Sequence, residues 1–498
     1  MKKRVSDYLA WAMLSIFGGL LAAAVLLAVF GDLSHLSYPV ELFAALFLLF
    51  LLSRAPLRTR WEGLVRRAER CRPITAGACL AALCFLLNLL WVLYCRVEPT
   101  VDYYTNYVTA CHLAEGNWRE LDYLYLGLFP HIFGYGWLMS FVLRAFGRSP
   151  MVIAVFNVAL TTVSGLLIYG ICLQKLSRGA AAAAFLLWAV CPSKLLYNAM
   201  VLPEPVYTCL LLLFFFLFLQ AERLERTRGR RGVCLTALAG LAAGAVLCLV
   251  NILRPLAAIV MIALAVWIVA LRGEVLRRLQ SWMRWGVFCA CLVLSFYPLN
   301  QRWTGFEAWM LRTELADVPA YSIYVGLDTE NGGSFSEEAM ERLMNYRYDE
   351  ENGSAKWAQE QMMNDTVQRL RDGGLSIPRL LRVKLPKLLG SDEGGSFYAE
   401  ESLSRLGYVL SSVLSNVYYY ILVVLTLAGA AALGKRRGDG LLILPLYAAG
   451  LILAHMIVEV AGRYKYCLIP LFVILGACAL TSVRETGRNG GNRAAEAE

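Results

Sequence analysis

Apolar positions in this chain fall in long, nearly unbroken blocks, not in the one-sided rhythm of a helix on a soluble protein. Twelve such blocks lie at about 8–30, 40–52, 74–94, 151–173, 179–195, 205–219, 233–253, 256–271, 286–299, 407–433, 440–459 and 465–483. Many approach the roughly 20 residues a helix needs to cross a bilayer. The pattern predicts an all-α polytopic membrane protein with about 12 transmembrane helices. The first block, in Met1–Phe30, follows Lys2, Lys3 and Arg4 and has no A-x-A-like cleavage site, so it reads as an uncleaved span. One further block, Pro130–Phe146 (PHIFGYGWLMSFVLRAF), is apolar enough to tempt a span assignment. A span there would invert everything downstream.

Charge decides between the two topologies. With the N-terminus inside, the loops expected on the inner side hold 27 Lys and Arg, and the short outer ones hold 8. This bias predicts both termini on the cytoplasmic side. A span at 130–146 would turn the clusters Arg223–Arg231 and Lys435–Arg437 outward. Residues 121–147 therefore read as an interfacial or re-entrant element on the outer surface, with aromatics and glycines suited to the boundary layer.

The outer face then carries two sizeable segments. The first is 95–150. The second, 300–406, holds 12 basic and 18 acidic residues, has turn signals at Asn331-Gly332-Gly333, Asn352-Gly353 and Gly373-Gly374, and shows helical stretches near 336–347 and 355–371. It reads as a small α-rich outer subdomain. The expected organisation is two N-terminal spans and a basic loop (1–73), a transmembrane core (74–299), the outer subdomain (300–406), three C-terminal spans (407–483) and a cytoplasmic tail (484–498).

Composition excludes the other broad classes. The 498 residues are 58% hydrophobic and 17% charged, too apolar for an ordinary soluble enzyme, a disordered tail or a secreted disulfide scaffold. The net charge of +10 is explained by the inner loops and does not call for nucleic acid as a partner. The 14 cysteines sit mostly in apolar stretches, and no His/Cys spacing suits a metal. Cys95 and Cys111 both fall on the outer side, as two free thiols or one disulfide. No P-loop, GxGxxG, HExxH, GxSxG or EF-hand pattern is present. The inner loops are too short for a soluble catalytic domain, so chemistry belongs to the outer face or the membrane.

Ionisable residues at span ends are the places to look. Asp102 falls in the first turn of an amphipathic helix over 102–116, with Asn106 one turn on; it is either a carboxylate stabilised by the helix start or a general base just outside the membrane. Glu204, in Leu202-Pro203-Glu204-Pro205, has the same two readings, the second as a carboxylate facing Asp102. Asn251, Arg254 and Pro255 close one span and open the next. Arg254 either snorkels or clamps a phosphate. His455, Glu459 and Arg463 are spaced i, i+4, i+8, so one helix face can carry all three. Either Glu459 and Arg463 form an anchoring ion pair, or Glu459 holds Arg463 on a lipid phosphate, with Tyr464 next to it. His131 sits among Tyr125, Phe129, Phe133, Tyr135 and Trp137, either a membrane aromatic belt or a sugar-stacking wall.

Taken in order, these motifs resemble the GT-C membrane glycosyltransferases, in the branch with protein O-mannosyltransferases and aminoarabinose transferases (glycosyltransferase family 39-like). Asp102-Tyr103-Tyr104 through Glu115-Gly116-Asn117-Trp118 resembles the family's acidic first outer loop. Pro130-His131-Ile132-Phe133-Gly134 through Phe146-Gly147 resembles its Pro-aromatic interfacial element. Pro192 and Leu202-Pro203-Glu204 resemble the second acidic site, Arg254-Pro255 the Arg-Pro after a small-residue span, and Gly462-Arg463-Tyr464 with Pro470 the late Gly-Arg-Tyr. The likeness covers about residues 74–483. It departs at Tyr103, where many relatives have a second acid, and in the two additional N-terminal spans.

The resemblance implies inverting transfer of a sugar from a polyprenyl-phosphate carrier to an acceptor on the extracytoplasmic face of the plasma membrane. Asp102 would be general base, with Glu204 the second acidic position. Arg463, Tyr464, Arg254 and Glu459 would handle the carrier phosphate, and Tyr103, Asn106 and His131 would contact acceptor or sugar. The lipid-linked sugar is a substrate, so no cofactor and no metal are expected. Membrane lipids and an envelope glycan, lipid or protein acceptor are the expected partners. The stretch Tyr324–Phe335 is expected as a loop over the cleft. A transporter or flippase of lipid-linked saccharides is the rival class; it predicts internal repeats and charges near mid-membrane, whereas these acids lie at span ends. A non-catalytic membrane scaffold is a third class; it would tolerate Asp102→Asn without loss of function.

Overall fold

A computed structural model describes residues 5–31, 37–225, 227, 229–272, 279–373, 375–436 and 438–480. The basic start Lys2–Arg4 and the expected tail 484–498 lie outside the described residues. Among the described residues every regular element is helical. In chain order they are α1 (Val5–Gly31), α2 (Ser37–Ser53), α3 (Ala55–Arg70), α4 (Pro73–Tyr94), α5 (Val101–Glu115), α6 (Tyr123–Leu128), α7 (Pro130–Phe146), α8 (Pro150–Lys175), α9 (Arg178–Ala189), α10 (Pro192–Asn198), α11 (Glu204–Leu224), α12 (Arg230–Leu253), α13 (Ala257–Val266), α14 (Leu279–Leu311), α15 (Ala320–Gly326), α16 (Glu337–Arg347), α17 (Ala355–Arg371), α18 (Ile377–Leu389), α19 (Gly394–Tyr398), α20 (Arg405–Leu433), α21 (Ile443–Ile457) and α22 (469–480).

Each of the twelve apolar blocks contains a helix, but not each helix has the length of a span. Nine helices among the described residues are long and apolar enough to cross a membrane, or ten if α9 and α10 form one span bent by 55° at Pro192. Proline at the start of α10 removes a backbone donor, so the helix breaks there. The blocks at 40–52 and 256–271 are the shorter helices α2 and α13, the latter finishing in a π turn at Trp267–Leu271. The block at 286–299 lies inside a much longer helix. α14 runs through Pro298 to Leu311, so the first residues of the expected outer subdomain extend this helix.

The basic α3 follows Arg54 and lies between α2 and α4, packed on α9. α1 packs along α18, α20 and α21, and α2 packs on α20. The two N-terminal helices are thus built into the C-terminal half. Tyr38 donates to Glu393, and Asn416 bridges Glu41 and Glu393.

Long-range polar bonds sort the loops onto two faces. On one face Asn106 meets Val201, Arg254 meets Glu204 and Arg463 meets Asp102. On the other Lys175 pairs with Glu222 and Asp439, Arg272 with Glu225, and Arg178 with the Glu69 carbonyl. These bonds join loops that the charge bias puts on the same side. α15, α16 and α17 close a separate small core of Leu128, Tyr321, Tyr324, Leu343, Ala358 and Met362 over the first face. α16 and α17 match the helical stretches expected near 336–347 and 355–371.

Candidate active site

Asp102 sits in the first turn of α5, whose N-cap is Thr100. Val101, just before it, is held at φ +46°, a left-handed conformation costly for a β-branched side chain and of a kind that clusters at functional sites. Two close approaches fix α5. Asn106 donates to the Val201 carbonyl at 3.3 Å, which ties α5 to the turn before Glu204. α7 packs along α5 through Gly136, where a Cβ would stand 2.7 Å from Thr109. Two residues earlier Gly134 rests on the Ile252 carbonyl, where a Cβ would again meet atoms at 2.7 Å. These glycines let α7 lie between the helix carrying Asp102 and the end of α12 that carries Arg254. α7, with 17 residues, is not among the helices long and apolar enough to span a membrane.

Asp102 and Glu204 are each paired with an arginine from a distant segment. Arg463 Nη2 donates to Asp102 Oδ2 at 2.5 Å, and Arg254 Nη2 to Glu204 Oε1 at 3.0 Å. The two carboxylates are thus held by separate arginines. Their settings differ sharply: the Asp102 side chain is 44% exposed, the Glu204 side chain 1%. Glu204 is at the first position of α11, between Pro203 and Pro205, a helix start that favours an acid.

Both guanidiniums share one ring. Arg254 lies 4.8 Å and Arg463 5.7 Å from the centroid of Tyr464, within cation–π range. Arg463 is also 5.8 Å from the ring of Tyr103 and 5.7 Å from that of Tyr398, and these two rings meet edge-on at 5.4 Å. Among the described residues Arg254 Nε, Arg463 Nε and Glu204 Oε2 are buried without a partner, donors and an acceptor left for a ligand or water.

The expected single face for His455, Glu459 and Arg463 does not form. α21 ends at Ile457, Val458 turns extended, and the backbone N–H groups of Glu459 and Val460 bond to the carbonyls of Ser322 and Gly333. Those carbonyls belong to the small helical unit, and their pull ends the helix two residues before Glu459. Within 4 Å Glu459 makes no ion pair among the described residues, so the partner of Arg463 is Asp102 and not Glu459. Burial pushes the Glu459 carboxyl up, opposed by Arg463 and Arg254. The ring of His455 lies 5.4 Å from that of Tyr464, tilted by 43°. His131 comes close to the same charges: burial, then Arg254, pushes its imidazole down to about 3, so the ring is neutral. The stretch 324–335 packs against 456–460, where Ser334 donates to the Val460 carbonyl.

Three residues here had no signal in the sequence. Tyr398 enters from the end of the short helix α19. Lys465, buried beside Tyr464, pairs with Asp392 at 3.3 Å and anchors the loop after α18 to the Arg463 segment. Lys384 binds three carbonyls behind Glu459. Asn251 spends its amide on Asn300 and the Ala257 N–H. Cys95 and Cys111 are both free.

No group of three His, Cys, Asp or Glu is placed to hold a metal among the described residues. A cavity of about 1410 Å³ lies on the opposite face, between the paired charges Lys175, Glu222, Asp439, Arg272 and Glu225. Those five are paired with one another, whereas the Asp102 face sets two buried, unpartnered Nε–H groups beside an exposed carboxylate.

No protein-family model and no curated protein sequence matches the chain. Among solved structures it is similar to the archaeal oligosaccharyltransferase AglB from Archaeoglobus fulgidus, solved with an inhibitory peptide and a dolichol-phosphate. The TM-score is 0.46 and the identity 15%, over 83% of this chain and 50% of that one. It is also similar to ArnT from Cupriavidus metallidurans bound to undecaprenyl phosphate, with a TM-score of 0.31 and 13% identity over 82% of this chain and 78% of that one. The chain thus spans half the length of the AglB chain it matches.

Proposed function

We propose that this chain is an integral-membrane glycosyltransferase of GT-C type. It moves a sugar from a polyprenyl-phosphate carrier to an acceptor hydroxyl, with inversion, on the extracytoplasmic face of the plasma membrane. The observation that carries the reading is the meeting, in one cluster, of an exposed carboxylate (Asp102) and two guanidiniums (Arg254 and Arg463) with unpartnered Nε–H groups. That set is what transfer from a lipid phosphate needs: a base for the acceptor and fixed positive charge for the leaving group.

The reaction follows from these roles. Asp102 takes the proton of the acceptor hydroxyl. The oxygen attacks the anomeric carbon as the bond from that carbon to the carrier phosphate breaks, and the phosphate departs with the bond's electron pair. Arg463 and Arg254 balance its charge. In the resting pairing Arg463 occupies Asp102; a carrier phosphate draws the guanidinium to itself and leaves the carboxylate free as base. Glu204 holds Arg254 in place and takes no proton from substrate. Neutral His131, Tyr103 and Tyr464 line the cluster, and Asn106 fixes α5. Phosphate is a good leaving group, so neither a general acid nor a cofactor is required.

Membranes containing wild type or Asp102→Asn, supplied with radiolabelled polyprenyl-phosphate sugars, test this. Transfer by wild type and its loss in Asp102→Asn at equal expression support the reading. Movement of the intact lipid-linked sugar across the membrane without transfer replaces it with a flippase.

A further inference from the structure

Lys384, in α18, is fully buried and ends on no carboxylate. Its ammonium donates to three backbone carbonyls, those of Gly326 at 2.6 Å, Val458 at 2.7 Å and Met456 at 3.2 Å. Met456 and Val458 belong to the C-terminal end of α21, where carbonyls lack helical partners and a cation is favoured. Gly326 closes α15, in the small helical unit. One side chain therefore bolts together two segments more than a hundred residues apart.

The joint is tight enough to need glycine. Gly333 lies at φ +70° flat on the Lys384 stem, and a Cβ there would stand 2.6 Å from Cδ and 2.7 Å from Cε. A Cβ on Gly326 would fall 2.3 Å from the Ile457 carbonyl oxygen. Around the bolt, Glu459 N–H bonds to Ser322 and Val460 N–H to Gly333, and Ser334 bonds to Val460. The strap 326–334 and the arm 456–463 thus form a single unit, and that arm carries Glu459 and leads directly into Arg463.

We propose that Lys384 is the positioning residue that locks the strap 326–334 onto the arm 456–463, so that closure of the small helical unit sets Arg463 for the carrier phosphate. This rests on the reading of Arg463 given above. The chemistry is specific to a long cation. Only a side chain with several N–H donors at the end of an apolar stem satisfies three converging carbonyls. Burial pushes the ammonium down to about 8, opposed by Glu459, so its charge is lost on the alkaline side of neutrality. The ionisable groups that interact with it are Glu459 on the arm and His455 on α21; Lys387 lies one turn on along α18, and the same Glu459 acts on it. Asp328 on the strap turns instead to Arg369, 3.7 Å away, and α1, packed along α18, carries its ionisable groups Asp7 and Tyr8 only near its start.

The test uses full-length protein in nanodiscs and two readouts: hydrogen exchange at the Glu459 and Val460 amides, and binding of undecaprenyl phosphate alone. Lys384→Met speeds exchange at both amides and weakens lipid-phosphate binding, each about tenfold, as expected for losing hydrogen bonds to a charged donor. Gly333→Ala, with the lysine intact, reproduces both effects and decides the matter if Lys384→Met does not fold. Lys384→Arg restores both at neutral pH and removes the loosening that wild type shows as pH rises through about 8. Wild-type exchange in Lys384→Met overturns the lock. Faster exchange with unchanged binding overturns its link to the phosphate site. Wild type that binds no undecaprenyl phosphate refutes the phosphate-site reading itself, and this inference with it, a failure distinguishable from the other two.

Discussion

Arg463 reaches across 361 positions of sequence to bond Asp102, and this single contact couples the two halves of the proposed reaction. The guanidinium that receives the phosphate is the one that occupies the base. Asp102→Asn should therefore abolish transfer yet leave undecaprenyl phosphate bound at least as tightly, because Arg463 no longer has a competing anion. A loss of about 10²–10⁴ in kcat is expected for a missing general base. Weaker lipid-phosphate binding in this variant speaks against the competition, and unchanged kcat removes Asp102 as base.

Glu204 and Arg254 form a buried pair in which the acid holds one of the two guanidiniums proposed for the carrier phosphate. Glu204→Gln leaves the guanidinium short of its counter-charge at a cost of about 3 kcal/mol, the scale of breaking a buried ion pair from one side. Thermal unfolding in detergent should show the loss, and Glu204→Gln with Arg254→Met should recover part of it. No recovery in the double variant means the acid acts alone.

Tyr464 serves two cations through its ring, not through its hydroxyl. Tyr464→Phe should bind undecaprenyl phosphate like wild type. Tyr464→Leu should weaken it about tenfold, the loss of one or two cation–π contacts. Equal weakening in both variants assigns the effect to the hydroxyl.

His131 makes stability depend on acid. Its imidazole is pushed from 6.5 down to about 3 by burial, so below pH 6.5 the unfolded chain binds a proton that the folded one refuses. Stability from this group is complete above pH 6.5 and drains away as pH falls toward about 3. Between pH 6.5 and 5 the loss is about 2 kcal/mol. In His131→Gln the same titration should be flatter by that amount, and parallel curves for the two proteins would sink the assignment.

Much of the architecture was legible because membrane helices announce themselves. Each apolar block holds a helix, and polar residues at block ends drew attention to Asp102, Glu204, Arg254 and Arg463 one by one. Their pairing was not legible. The spacing of His455, Glu459 and Arg463 fits one helix face, but the carbonyls of Ser322 and Gly333 capture the backbone first and end α21 at Ile457. Local periodicity carries no information about a competitor more than a hundred residues upstream. Tyr398 and Lys384 were missed for the same reason, as their partners are remote in sequence and they occupy no conspicuous position in any block.

The docking of α1 against α18, α20 and α21 has a consequence for how the protein is made. Phe17, whose ring lies 6.0 Å from that of Phe472, is made long before its partner and must wait for it. At about 5–20 residues per second that interval is on the order of 20–90 s. For that time Phe17 lacks the ring it packs on in the folded protein, and Asp102 has no arginine. The Glu204–Arg254 pair can form once Arg254 is made, but the Asp102–Arg463 pair must wait for a segment some two hundred residues further on. A nascent chain stalled before Arg463 therefore lacks the pairing of Asp102, and it shows membrane quality control an uncovered Phe17 by which to recognise it.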